Sequence, residues 1–143
     1  MPHLVILYTP QLDKETDMDV LCRSLANTML AARDENGVAV FPPGGTRVLA
    51  FPAAHFAVAD DGSAGRAAGG TGDYAFVYLN VRMGRGRSEA TQQLAGQTLL
   101  EVAKAFFAPV MAQRHIGITL QIDVGPEVFD AKHSNLHPLF NKA

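Results

Sequence analysis

The chain has 143 residues, 12 of them basic and 14 acidic, for a formal net charge of −2 with histidine neutral. That is the length of one ordinary domain, long enough to bury a core, and its scattered basic residues offer no electrostatic footprint for nucleic acid or an anionic membrane. No apolar run approaches the roughly 20 residues of a membrane helix and no charged-then-apolar leader precedes the first strand, so a soluble cytoplasmic protein is expected.

In chain order, Leu4-Val5-Ile6-Leu7-Tyr8 is an unbroken apolar run, short enough for a strand and dense enough to be covered on both faces. Proline after the initiator methionine is a residue that methionine-removing enzymes accept, so the expected mature chain begins with Pro2 as a free secondary amine. An α-amino group titrates near pH 8 in water, and apolar surroundings disfavour its charged form, so this nitrogen has the property a general base needs. The plain alternative is that Pro2 is only a start with a strand-compatible backbone.

Residues 9–16 read as a loop, with Thr16 or Asp17 able to cap the helix that follows. Met18, Leu21, Cys22, Leu25, Met29 and Ala32 recur at three and four and form one apolar stripe on an otherwise wet helix. The one cysteine of the chain, Cys22, therefore reads as core rather than nucleophile. Asn36-Gly37 supplies a left-handed stop, and Phe41-Pro42-Pro43-Gly44-Gly45 is a connector that cannot continue a helix. A second strand is expected over residues 46–51, closed by Pro52, with 53–59 a weaker extension. Residues 60–72 carry too few bulky side chains to pack and are expected to form a mobile surface loop. Their glycines lack the Gly-Lys-Ser/Thr ending and the following helix of a phosphate cradle.

Residues 74–81 make the best strand, rich in β-branched and aromatic side chains, and are expected to be central. A turn over residues 82–88 leads into a second helix capped by Ser88, with Leu99, Val102, Ala103, Phe106 and Val110 on its buried face. Residues 115–124 alternate as a fourth strand. The fold predicted is α+β: two β-α-β units, about 2–59 and 73–124, form a four-stranded mixed sheet with both helices on one face, followed by a tail over 125–143, all within a single domain. The near-continuous apolar character of the first and third strands leaves the second sheet face in need of cover. Other subunits are its natural source, and the tail would reach across a neighbour more usefully than pack at home.

Five stretches together resemble the 5-carboxymethyl-2-hydroxymuconate Δ-isomerase family of the tautomerase superfamily. They are Met1-Pro2-His3, Phe41-Pro42-Pro43-Gly44-Gly45-Thr46-Arg47, Asp73-Tyr74-Ala75-Phe76-Val77, Gly84-Arg85-Gly86-Arg87-Ser88 with Gln92-Gln93 after it, and Asn135-Leu136-His137-Pro138-Leu139-Phe140. The resemblance covers almost the whole chain. It implies a trimer with sheets around a central channel, an amino-terminal proline (Pro2) as catalytic base, and no cofactor or metal. It also implies ketonisation of a carboxylated dienol in aromatic compound degradation. Arg47 and Arg87 match the family's arginines and suit the binding of substrate carboxylates, because a guanidinium forks onto a carboxylate through two hydrogen bonds and keeps its charge. Two departures stand out: the 60–72 loop is long, and the segment after Arg47 lacks a second closely following basic residue and the family's tryptophans. Alternatives are a related tautomerase acting on another small enol acid, and a non-catalytic trimeric binding protein of the same fold. His133 and His137 stand four apart, but no third ligand with zinc spacing accompanies them.

Overall fold

The structure is a computed structural model that describes residues 2–140. Four strands, β1 (His3–Tyr8), β2 (Val48–Pro52), β3 (Ala75–Met83) and β4 (Ile116–Val124), form one sheet in the order β2-β1-β3-β4. β1 runs parallel to β2, β3 runs parallel to β4, and the two central strands are antiparallel. Each parallel pair is joined by a long helix, α2 (Met18–Ala31) in the first unit and α4 (Glu89–Met111) in the second. The two most apolar strands are thus the central ones, as their composition requires.

Period-two alternation sends Leu4, Ile6 and Tyr8 of β1, and Ala75, Val77, Leu79, Val81 and Met83 of β3, to one face of the sheet, all buried. Against them pack Leu21, Leu25 and Met29 of α2 and Leu99, Ala103, Phe107 and Val110 of α4. The expected stripe is present on α2 from Met18 to Met29, and Ala32 packs just past the helix end at Ala31. On α4, Phe107 is the fully buried phenylalanine, while Val102 and Phe106 pack at the margin. Asp17 caps α2 by accepting from the amides of Asp19 and Val20, and Ser88 caps α4 by accepting from the amide of Thr91.

The opposite face has two halves. Val5, Leu7, Leu49, Phe51 and Phe76 make an apolar half, with Leu7, Leu49 and Phe51 each 45–49% exposed in the single chain. Across β3 and β4 the same face turns polar: the Tyr78 hydroxyl donates to Gln121 and the Asn80 amide to Asp123, both at 2.9 Å. Only part of the uncovered face is therefore apolar, because β3 places Asn80 and Arg82 where an uninterrupted hydrophobic strand would not.

Four expectations are corrected. A four-residue helix, α1 (Leu12–Glu15), interrupts the 9–16 loop and buries Leu12 completely. β2 starts at Val48, and residues 53–59 do not extend it. Its strand partner, β1, ends at Tyr8, whose carbonyl takes the Ala53 amide as the last bond of the pair. β3 runs two residues further than expected, to Met83, because β4 stays in register beside it through Val124.

The fourth correction concerns residues 60–72, which hold a short helix, α3 (Ser63–Ala67), rather than a structureless loop. Asp60 accepts from the amides of Gly62 and Ala64, and the Tyr74 hydroxyl accepts from the Gly65 amide at 2.8 Å. Small residues are what make this compaction possible: Gly62 and Gly72 both have positive φ, and a Cβ on Gly62 would lie 2.2 Å from the Gly72 carbonyl oxygen. Beyond α3, Arg114 ties the far end of the sheet together. It donates to both carboxylate oxygens of Glu15 (2.9 and 3.1 Å) and to the carboxylate and carbonyl of Asp73 (2.5 and 2.7 Å). Among the described residues no helix is long and apolar enough to cross a membrane.

Candidate active site

Pro2 is buried at the head of β1. The first amide of that strand to pair with its parallel neighbour, Leu4 N–H, donates to the Arg47 carbonyl at 2.9 Å, so the chain entering β2 is fixed beside the amino-terminal proline. On the other side His3 is opposite Arg82; one further step in the antiparallel register brings Pro2 level with Met83, the last residue of β3. The turn after Met83 carries Arg87. All three residues singled out in the sequence therefore come to one end of the sheet, on three separate segments. Met1, whose removal the sequence leads one to expect, lies outside the described residues.

The two arginines are held differently. Arg87 donates through Nε and Nη2 to the Val40 carbonyl, at 3.2 and 2.6 Å, and through Nη1 to the Gly84 carbonyl at 3.2 Å. Three of the five N–H donors of a guanidinium are thus committed to backbone, which fixes its plane and leaves two for an anion. It stands directly before the Ser88 cap, at the amino end of α4, where free backbone N–H groups favour negative charge. Arg47 is exposed and makes one long contact, Nη1 to the Gly45 carbonyl at 3.4 Å. It opens onto a groove of about 530 Å³ along α2 and the edge of β2, and Arg23 of α2 lines the same groove. This second cation follows from packing and has no counterpart in the local sequence around Arg47.

The tail makes one close contact at home: the His137 ring lies on Gly44 of the proline connector, so close that a Cβ there would meet Nδ1 at 2.6 Å, and Phe140, still half exposed, borders the groove beside Arg47. The missing side chain at Gly44 is what admits the imidazole. Further back, Val128 and Phe129 are fully or largely exposed. Among the described residues no three His, Cys, Asp or Glu side chains cluster as metal ligands, and His133 and His137 belong to no such group.

A pair of β-α-β units closes one mixed sheet, with the proline at the head of a central strand, which is the arrangement that the resemblance to an isomerase family implies. Comparison with known proteins narrows the class. The family model for 5-carboxymethyl-2-hydroxymuconate isomerase matches residues 2–140, and the chain belongs to that family. A crystal structure of a 5-carboxymethyl-2-hydroxymuconate delta-isomerase is 61% identical, covering 100% of this chain and 95% of the other, with a TM-score of 0.96. The structure of a 5-carboxymethyl-2-hydroxymuconate isomerase from Deinococcus radiodurans R1 is 30% identical over 99% of this chain and 95% of that one, with a TM-score of 0.80. The 5-carboxymethyl-2-hydroxymuconate Delta-isomerase of Escherichia coli is 28% identical over 98% of this chain and 99% of its own length. The protein is an isomerase of this family.

Proposed function

We propose that the chain, as a single domain assembled into a cytoplasmic homotrimer, ketonises 5-carboxymethyl-2-hydroxymuconate or a closely related carboxylated dienol. The observation that carries this reading is the meeting of Pro2, the Arg47 carbonyl and the Arg87 turn at one end of the sheet in a chain of this family. With Met1 removed, the Pro2 nitrogen holds a lone pair and takes the enol hydroxyl proton. The oxygen electrons form the carbonyl, the double bond migrates, and the proton returns to the distal carbon. No net redox change occurs, and the amine ends as it began.

The reaction passes through a dienolate, whose charge is greatest midway. Arg87, already oriented by two carbonyls, suits the stabilisation of that charge because it need not reorganise as the charge develops. Arg47, free on its connector, suits the capture of a substrate carboxylate. The apolar half of the second sheet face supports the trimer, since leaving Leu7, Leu49 and Phe51 half exposed is unfavourable.

A panel of enolised mono-, di- and tricarboxylates followed by ultraviolet absorbance tests the substrate class. Turnover should be fastest with the carboxymethylated muconate. Equal rates across the panel would contradict carboxylate recognition. Light scattering should give the mass of three chains rather than the 15.3 kDa of one.

A further inference from the structure

The carbonyl that holds Arg87 belongs to a tight hairpin between α2 and the proline connector. Arg33 and Ala39 form an antiparallel bridge, and the Val40 amide returns to the Ala32 carbonyl at 3.1 Å. Asp34 closes the turn by accepting from the amides of Asn36 and Val38, at 2.8 and 2.9 Å, and Gly37 takes the left-handed conformation at φ +77°. At the tip of this hairpin, Glu35 reaches over to α4. Its carboxylate accepts from the hydroxyl of Thr91, at 2.5 Å, although the two residues lie 56 apart in sequence. Thr91 is itself buried, and its hydroxyl and amide both engage Ser88, the residue after Arg87. The hydroxyl of Thr91 holds the Glu35 carboxyl below its usual range, with its own backbone amide and Ser88 adding to the effect.

The Arg87 turn and the hairpin are therefore joined twice. Arg87 grips the base of the hairpin at Val40, and Glu35 grips the first turn of α4 beyond Arg87. We infer that Glu35 is a positioning residue, clamping the hairpin to α4 through Thr91 so that the Val40 carbonyl holds the Arg87 guanidinium in its working plane. Glu35 touches no reacting atom. Its effect passes through the carbonyl, and rests on the dienolate-stabilising role proposed above for Arg87.

The test compares Glu35→Ala, Glu35→Gln, Thr91→Val and the Glu35→Ala/Thr91→Val double variant, with Glu101→Ala on the exposed side of α4 as control. Kinetics on 5-carboxymethyl-2-hydroxymuconate are read alongside the 15N–1H signal and solvent-exchange protection of the Arg87 Nε–H, which requires no turnover. Glu35→Ala should lower kcat/KM by roughly 5- to 30-fold, less than the 10²-fold that a 1 Å misplacement at a catalytic centre can cost. The same variant should weaken the protection of the Arg87 Nε–H. Thr91→Val should match it, the double variant should be no worse than either single, and Glu35→Gln, which keeps an acceptor oxygen, should recover part of the loss. An unchanged Arg87 Nε–H in Glu35→Ala, or additive losses in the double variant, would overturn the proposal. If the Nε–H responds while Arg87→Ala retains full kcat/KM, the clamp stands and the proposed role of Arg87 in binding fails.

Discussion

The first β-α-β unit carries its arginine on a helix-to-strand connector, the second on a strand-to-helix turn, and the two are restrained to very different degrees. Arg87 spends three donors on the carbonyls of Val40 and Gly84, whereas Arg47 has one long bond to Gly45. A side chain that must be immobilised on binding costs about 0.5–1.5 kcal/mol in lost rotamer freedom. Arg87 has met that cost on folding, and Arg47 has not. On the roles proposed above, the difference divides the work between the two cations: one is preorganised for charge that appears only in the transition state, the other adapts to charge present throughout.

The largest effect expected is one that removes both arginines' purpose together. A preparation in which every chain retains Met1 has an amide at Pro2, whose nitrogen lone pair is committed to the carbonyl, and it should show no measurable isomerase activity. Activity should scale with the processed fraction measured by mass spectrometry, and kcat/KM of the processed enzyme should rise with pH as a free amine deprotonates. Full turnover by the unprocessed chain would remove Pro2 from the mechanism. Next in size, Arg87→Ala should lower kcat by roughly 10²- to 10³-fold, and Arg47→Ala should act mainly on KM, by roughly 10- to 100-fold, as loss of a charge-assisted contact predicts. The comparison breaks if both act on the same parameter to the same extent. Arg82→Ala, on the exposed end of β3, should be nearly silent.

Lysine substitution sharpens the contrast. Arg87→Lys loses the fork that engages two carbonyls and should resemble Arg87→Ala. Arg47→Lys keeps a flexible cation and should retain most of the KM.

The smallest effect lies at the opposite end of the sheet, away from both arginines. The Gln11 amide and then Arg114 hold the Asp73 carboxyl below its usual value, against an opposing contribution from burial. A carboxyl with a lowered folded-state pKa adds stability that is complete above its unfolded value, near 3.9, and is lost as pH falls through the folded one. Wild-type Tm should therefore fall between about pH 5 and pH 2 more steeply than that of Asp73→Asn. The pair is largely exposed on the Asp73 side, so the difference should be a few degrees at most. Catalysis by Asp73→Asn at pH 7 should be unchanged.

Much of this was legible in the chain itself. The central position of β1 and β3 follows from their continuous apolar runs, and the α2 stripe and the Asp17 and Ser88 caps follow from spacing and residue type. Pro2 was singled out by its place after the initiator methionine at the head of an apolar strand, and Arg47 and Arg87 by the motifs that carry the family resemblance. The hairpin from Asp34 to Val40 was not, since Glu35 and Thr91 are polar residues in unremarkable contexts whose meeting depends on how two separate units pack. Arg23 was hidden for the same reason. His137 on Gly44 lies between these cases: both motifs were visible, but their contact required the absence of a side chain at one glycine to be matched with a ring some ninety residues away.

The pinch between Gly62 and Gly72 gives residues 60–72 a further property. A segment whose two ends already touch transmits almost no geometry to what lies on either side. Mechanically the excursion is a cassette: shortening or lengthening it should leave β2 and β3 in their places. Its removal would uncover the Tyr74–His115 pair on which it rests, and nothing at the proline end of the sheet. This stretch is therefore a convenient place to insert foreign sequence.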